Sequence, residues 1–310
     1  MNSGREFATA DYLHPETLAQ VAGIDLRARL IVEGLMTGLH RSPYQGQAVE
    51  FAEHRQYTPG DDLRHLDWKV FGRTDKLYLK RYQQETNLDL ILLVDGSGSM
   101  DYGSSTRSGH VWRKFDHATS IAAVLAYQAL LQQDRVGLIV FADRVLDMIR
   151  PSGARDQWRS IITALGTQPV NAETQIERVA DEALSLINRR ALVVVLSDLF
   201  ESIDALGAAL ARLRFQQHDV VLFQTLDAHE LQFPFEAPTR FVGLESEGRL
   251  DLDPRALRTA YLEQVEQHVG SVSESARRFG FDHEVIDTSQ PIGPVLSHYL
   301  ARRNARLKML

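Results

Sequence analysis

The chain contains no cysteine in 310 residues. That single absence excludes disulfides, thiolate metal sites and a cysteine nucleophile, and it fits a reducing compartment. Long apolar runs are also missing. The best candidates, Leu88–Val94 and Ala191–Leu196, are strand length and fall well short of the ~18 residues a membrane helix needs. The opening residues Met1-Asn2-Ser3-Gly4-Arg5-Glu6-Phe7 lack the apolar core of a signal peptide. A soluble, cytoplasmic protein with no membrane span is therefore expected. Basic blocks are absent too: 34 Lys and Arg stand against 41 Asp and Glu, a net charge of −7 with pI ≈ 5.9. A nucleic-acid binder would show a basic footprint, so no nucleic-acid partner is expected. No Gly-x-x-x-x-Gly-Lys-Ser/Thr phosphate loop, internal repeat or low-complexity linker occurs. What remains is an ordinary globular composition, 44% hydrophobic and 24% charged, in a chain long enough for one large domain plus an appended subdomain.

The most informative stretch is Leu88-Asp89-Leu90-Ile91-Leu92-Leu93-Val94-Asp95-Gly96-Ser97-Gly98-Ser99-Met100. A near-continuous apolar run reads as a buried parallel strand, and open α/β sheets bind ligands beyond the carboxyl ends of such strands. Asp95, Ser97 and Ser99 thus place one carboxylate and two hydroxyls in a single loop at that edge. Hard cations such as Mg²⁺ take oxygen ligands and retain several waters, and the intervening glycines let the backbone fold tightly. A plain strand-to-helix turn, with Asp95 capping the next amides, would use the same residues.

From Leu88 onward, strands at Leu88–Asp95, Val136–Ala142, Ala191–Ser197, Asp219–Thr225 and His283–Asp287 alternate with helical patterns at Phe115–Gln132, Gln157–Leu165, Thr174–Arg189, Ile203–Phe215 and Pro254–Arg278. This alternation predicts an α/β fold with a doubly wound, mainly parallel sheet. Val145–Ile149, just after a short turn, reads as an antiparallel edge strand. Ile292–Arg303 reads as a closing helix, and Leu244–Asp253 as a solvated polar loop. Before Leu88 the pattern changes. His14–Met36 is helical, with apolar positions including Ile24, Leu26 and Ile31. It is followed by short β-like pieces at Ala48–Tyr57, Leu66–Phe71 and Leu77–Tyr82. The expected division is an α+β subdomain over 1–86 and the main domain over 87–310.

The Asp-x-Ser-x-Ser loop resembles the metal-ion-dependent adhesion site of von Willebrand factor A domains. The resemblance implies that Ser97 and Ser99 bind a metal directly and that Asp95 acts through water. It further implies a threonine from a later loop and an aspartate ending the next central strand. Thr174, in Asn171-Ala172-Glu173-Thr174-Gln175, and Asp198, closing Val193-Val194-Val195-Leu196-Ser197-Asp198, occupy those places. Each also has a structural reading: Thr174–Glu177 is spaced as a capping box, and Asp198 suits a turn or helix cap. The all-oxygen set Asp95, Ser97, Ser99, Thr174 and Asp198 implies Mg²⁺ or Mn²⁺.

A second resemblance covers nearly the whole chain. Gly38-Leu39-His40-Arg41-Ser42-Pro43-Tyr44-Gln45-Gly46, the run Glu50 to Lys69, Lys80-Arg81-Tyr82, Glu85, Thr288 and Tyr299–Arg303 resemble the bacterial domain-of-unknown-function 58 family, in its short soluble form. That family joins such a segment to a von Willebrand A-like domain. The resemblance implies a non-enzymatic, metal-dependent protein-interaction module whose partner is a MoxR-type AAA+ ATPase, in complex assembly or chaperone-like work. Arg55, Arg64, Asp67 and Trp68 are either a partner-binding surface or an ion-pair network fixing the subdomain. The competing class is a Mg-dependent phosphate-ester hydrolase using the Asp95 loop. A haloacid-dehalogenase-type phosphatase, however, needs a second aspartate where Ser97 stands, and no Gly-x-Ser-x-Gly nucleophile elbow surrounds either serine.

Overall fold

The computed structural model describes residues 24, 26–29, 31–32, 54–56, 71–73, 78–80, 89–107, 110–166, 174–187, 189–245 and 248–307. The chain divides into two compact units, one formed by Met1–Gly38 with Leu88–Leu310, the other by Leu39–Asn87.

In the smaller unit, strands β1 (His54–Gln56) and β2 (Tyr78–Lys80) pair antiparallel, with Arg55 opposite Leu79. Phe71, expected to end a β-like piece, is instead helical with residues 72 and 73. Arg64, Asp67 and Trp68 lie outside the described residues, and for Arg55 only its place in β1 is described.

The larger unit is built on β3 (Asp89–Asp95), every residue of which is buried. Next come a short hairpin, β4 (Ser105–Arg107) and β5 (His110–Trp112), then helix α1 (Lys114–Leu131) and strands β6 (Arg135–Phe141) and β7 (Val145–Ser152). Helices α2 (Gln157–Leu165) and α3 (Ile176–Leu186) lead to β8 (Ala191–Ser197), α4 (Ile203–Phe215) and β9 (Asp219–Leu226). The chain finishes through α5 (Ala228–Gln232), β10 (Thr239–Val242), β11 (Arg249–Leu252), α6 (Pro254–Arg278), β12 (Asp282–Asp287) and α7 (Ile292–Leu307).

Among the described residues the central sheet has six strands in the order β12-β9-β8-β3-β6-β7. The first five pair in parallel, and β7 closes the edge antiparallel to β6, with register shifts along the pair. This is the doubly wound, mainly parallel α/β sheet that the alternating pattern predicts. Because successive strand side chains point to opposite faces, Leu90, Leu92 and Val94 pack with α1, α2 and α7, while Ile91 and Leu93 pack with α3, α4 and α6. Each such side chain contributes about 1.5–3 kcal/mol by leaving water, which holds the strand ends, and the loops they carry, in fixed register.

Three sequence expectations need correction. The unit boundary at 86/87 does not enclose the first residues as a subdomain. Helical residues Ile24, Ala28, Ile31 and Val32, spaced to form one apolar stripe, are buried in the same core as α1. Leu26, expected among the apolar positions, is exposed. The span 244–253 is not merely a loop: it contains β11, which pairs with β10 through Phe241 and Leu250.

Candidate metal centre

In the order β8-β3-β6 the chain runs from β3 to β6 on one side and later returns to β8 on the other. The carboxyl ends of β3 and β8 therefore flank a topological switch point, where doubly wound sheets open a crevice. Asp95 is the last residue of β3, and Asp198 follows the last residue of β8.

Asp95 is fully buried and receives hydrogen bonds from Ser97 N (2.9 Å to Oδ1), Thr174 Oγ1 (3.2 Å to Oδ2) and Ser197 Oγ (2.5 Å to Oδ2). All three donors are neutral. Ser97 Oγ and Ser99 Oγ lie 3.1 Å apart. Asp198 is buried and lines, with Ser99, Thr174, Phe200, Glu201 and Glu245, a cleft of about 670 Å³. The five expected residues are thus brought together, Asp95 and Ser97 on the buried floor, Ser99, Thr174 and Asp198 at the open side. Thr174 does not cap α3: the residue at the cap is Gln175, and no side-chain cap is made there.

Burial, together with the nearby charge of Asp198, pushes the Asp95 carboxyl up to about 7 against the help of its hydroxyl and amide donors. Glu201 is likewise pushed up to about 7, by burial and then by the charges of Asp95, Asp198 and Glu245, while its Oε1 accepts from Ile176 N. Carboxylates crowded out of water in this way require a proton or a cation. Lys114 supplies one positive charge. Its ammonium is buried and bonds Asp198 Oδ2 at 2.8 Å and Glu230 Oε1 at 2.7 Å. Burial alone would pull this amine down, but Asp198 and Glu230 more than offset that and hold it above its ordinary range. Glu230 in turn closes a capping box with Asp227 at α5, and Asp227 Oδ2 accepts from Ser104 N and Thr288 Oγ1. Among the described residues, Asp95 has no such basic contact in its hydrogen bonds.

The residues fit a hard divalent cation. Two carboxylates and three hydroxyls converge, and the buried carboxylate bonded only to neutral donors is the group a cation would relieve. Among the described residues no three His, Asp or Glu side chains form a metal cage, so a cation here would have to draw on the hydroxyls as well.

Sequence reasoning missed Ser197, Lys114, Glu201, Glu230 and Glu245. Ser197 holds Asp95 and accepts from Leu199 N at 3.0 Å. It stood in plain view between the apolar run and Asp198. Lys114 also carried a signal, since a lysine in the first turn of a helix opposes the macrodipole. The other three depend on tertiary approach and have none.

The fold and site define an α/β protein with an oxygen-lined crevice at its switch point. The chain belongs to the family described as Protein of unknown function DUF58, which matches residues 53–270. It is 24% identical over 274 residues to the uncharacterised proteins Rv1480 of Mycobacterium tuberculosis and Mb1516 of Mycobacterium bovis, covering 86% of this chain and 83% of each relative. Among solved structures, the conserved hypothetical protein BatB of Bacteroides thetaiotaomicron is 16% identical, with 69% of this chain and 98% of that one aligned at a TM-score of 0.44. The SpRpn10 VWA domain is 13% identical, with 69% and 95% aligned at a TM-score of 0.39. The fold assignment rests on the strand order itself.

Proposed function

We propose that this protein is a metal-dependent protein-interaction module rather than an enzyme, that Asp95, Ser97, Ser99, Thr174 and Asp198 hold Mg²⁺ or Mn²⁺, and that the partner is a MoxR-type AAA+ ATPase in complex assembly or chaperone-like activity. The observation that carries the reading is the convergence of these five residues, with Ser99, Thr174 and Asp198 lining an open crevice over the buried Asp95 and Ser97. A cation held largely by neutral hydroxyls and water keeps residual positive charge, and an acidic side chain of a partner gains both Coulomb attraction and a bond to it. The choice of partner comes from the family resemblance.

The hydrolase reading is weaker on geometry. Asp95, which would serve as nucleophile, is wholly buried, and both its oxygens accept hydrogen bonds. Attack on a phosphorus atom needs one of those oxygens free and reachable.

Association of the purified chain with a MoxR-type ATPase, measured in Mg²⁺, in chelator and with Asp95→Ala, tests the proposal. Binding should vanish in the last two conditions while circular dichroism stays unchanged. Undiminished binding in chelator would move the interface away from the crevice, and phosphate-ester turnover lost in Asp95→Ala would favour the hydrolase.

A further inference from the structure

Leu244 and Glu245, which follow β10, lie directly on the Asp95–Ser99 loop. A Cβ on Gly98 would stand 2.5 Å from the carbonyl oxygen of Leu244 and 3.1 Å from Glu245 Cγ, so glycine at 98 is what admits the turn. Glu245 Oε1 accepts from Ser99 N at 2.7 Å, and Glu245 lines the same cleft as Ser99, Thr174, Asp198 and Glu201. Among the described residues, the hairpin that carries it is a separate two-stranded sheet with no ladder to the central one. Its stem is anchored by Phe241, which stacks on Phe233 and meets Phe235 edge-on. Val242 and Leu250 of the same hairpin face water, each 56% exposed. A fixed arm therefore delivers an acidic tip to a place already crowded with Asp95, Asp198 and Glu201. Without a cation that placement is unfavourable, since it adds like charge to groups that burial already disfavours.

We propose that Glu245 is a built-in carboxylate of the metal site, occupying the position that a partner's acidic side chain must take, so that capture of the partner requires the β10–β11 turn to give way. This rests on the metal-site reading above. A tethered carboxylate has an effective concentration that a free one must exceed, so the turn sets a threshold against weak or adventitious acidic ligands. The exposed side chains of the hairpin would move with the tip, which couples capture to a change at the surface.

The test uses the full chain with Mn²⁺ as probe and acetate as the competing carboxylate, read by water-proton relaxation. Glu245→Ala should still bind Mn²⁺, about tenfold more weakly. It should also show higher relaxation per bound ion, because water replaces the carboxylate. Acetate should lower that relaxation at about a tenfold lower concentration than in wild type, the tethered competitor having gone. Glu245→Gln keeps an oxygen for the Ser99 amide but loses the charge, and it should follow the alanine variant. If both variants match wild type in Mn²⁺ affinity, relaxation and acetate response while Ser97→Ala has lost Mn²⁺, the metal site stands and the role of Glu245 is overturned. A wild-type chain that binds no Mn²⁺ overturns both.

Discussion

Thr174 Oγ1 reaches Asp95 Oδ2 at 3.2 Å across 79 positions of sequence, while the helix that begins two residues later makes no side-chain cap. The hydroxyl therefore serves the crevice and not the helix. Thr174→Val should reduce Mg²⁺ affinity by about tenfold or more while changing stability by less than the ~1 kcal/mol that losing a helix cap typically costs. Thr174→Ser should retain most of the affinity. Calorimetry with Mg²⁺ beside urea unfolding separates the two effects. A large stability loss with unaltered affinity would return Thr174 to a structural role.

Lys114 neutralises a buried carboxylate, Asp198, and a partly buried one, Glu230, at once. Removing one partner of a buried ion pair leaves charge without compensation and typically costs about 3–5 kcal/mol. Lys114→Met should destabilise the metal-free protein by that order, and Mg²⁺ should restore part of the loss by supplying positive charge beside Asp198. Urea unfolding with and without Mg²⁺ reads both terms. An equal response to Mg²⁺ in variant and wild type would disconnect Lys114 from the site.

The folded state raises the Asp95 carboxyl from 3.8 to about 7, through burial and the charge of Asp198. Between those values the native state binds a proton that the unfolded chain has released, so this group's contribution to stability falls as pH rises through the window. Asp95→Asn removes the charge while keeping an oxygen for Ser97 N and an amide that can donate to the hydroxyls. It should abolish Mg²⁺ binding yet unfold at a higher temperature than wild type in chelator at pH 8. A variant less stable than wild type under those conditions would show that the buried charge is compensated.

His117 responds in the opposite direction. Burial lowers its imidazole from 6.5 to about 3, and Nδ1 accepts from Trp112 Nε1 at 3.1 Å. Below 6.5 the unfolded chain takes up a proton that the folded one refuses, so stability declines as pH falls. His117→Gln keeps an acceptor for Trp112 and should flatten the loss of stability between pH 6.5 and pH 4, measured as the urea midpoint. An unchanged slope would assign the acid sensitivity elsewhere, with His283, lowered to about 4 by burial, the next candidate.

The sheet was legible because its strands are buried on both faces, so Leu90 to Val94 and Val193 to Leu196 read as unbroken apolar runs. Asp95 and Asp198 were legible for the same reason, as the first polar groups where such runs stop. The β10–β11 hairpin was not. Only β10 alternates between partly buried and exposed residues, Arg249 to Asp251 are all exposed, and the polar turn Glu245-Ser246-Glu247-Gly248 masks the weak signal of Arg249–Leu252. The Lys114–Glu230 pair was hidden because it joins the starts of two helices, 116 positions apart. Leu26 shows the opposite error, an apolar residue on the solvent side of a stripe defined by Ile24, Ala28, Ile31 and Val32.

Under the proposed function, five oxygen-bearing side chains from three loops together hold one divalent cation. Titration calorimetry of the full chain with Mg²⁺, and then with Mn²⁺, tests it most directly when wild type is compared with Ser97→Ala and Asp198→Ala. A single site is expected in wild type, with binding lost or strongly weakened in both variants and circular dichroism unchanged. Wild-type binding that both variants retain, or no binding in wild type at all, would contradict it.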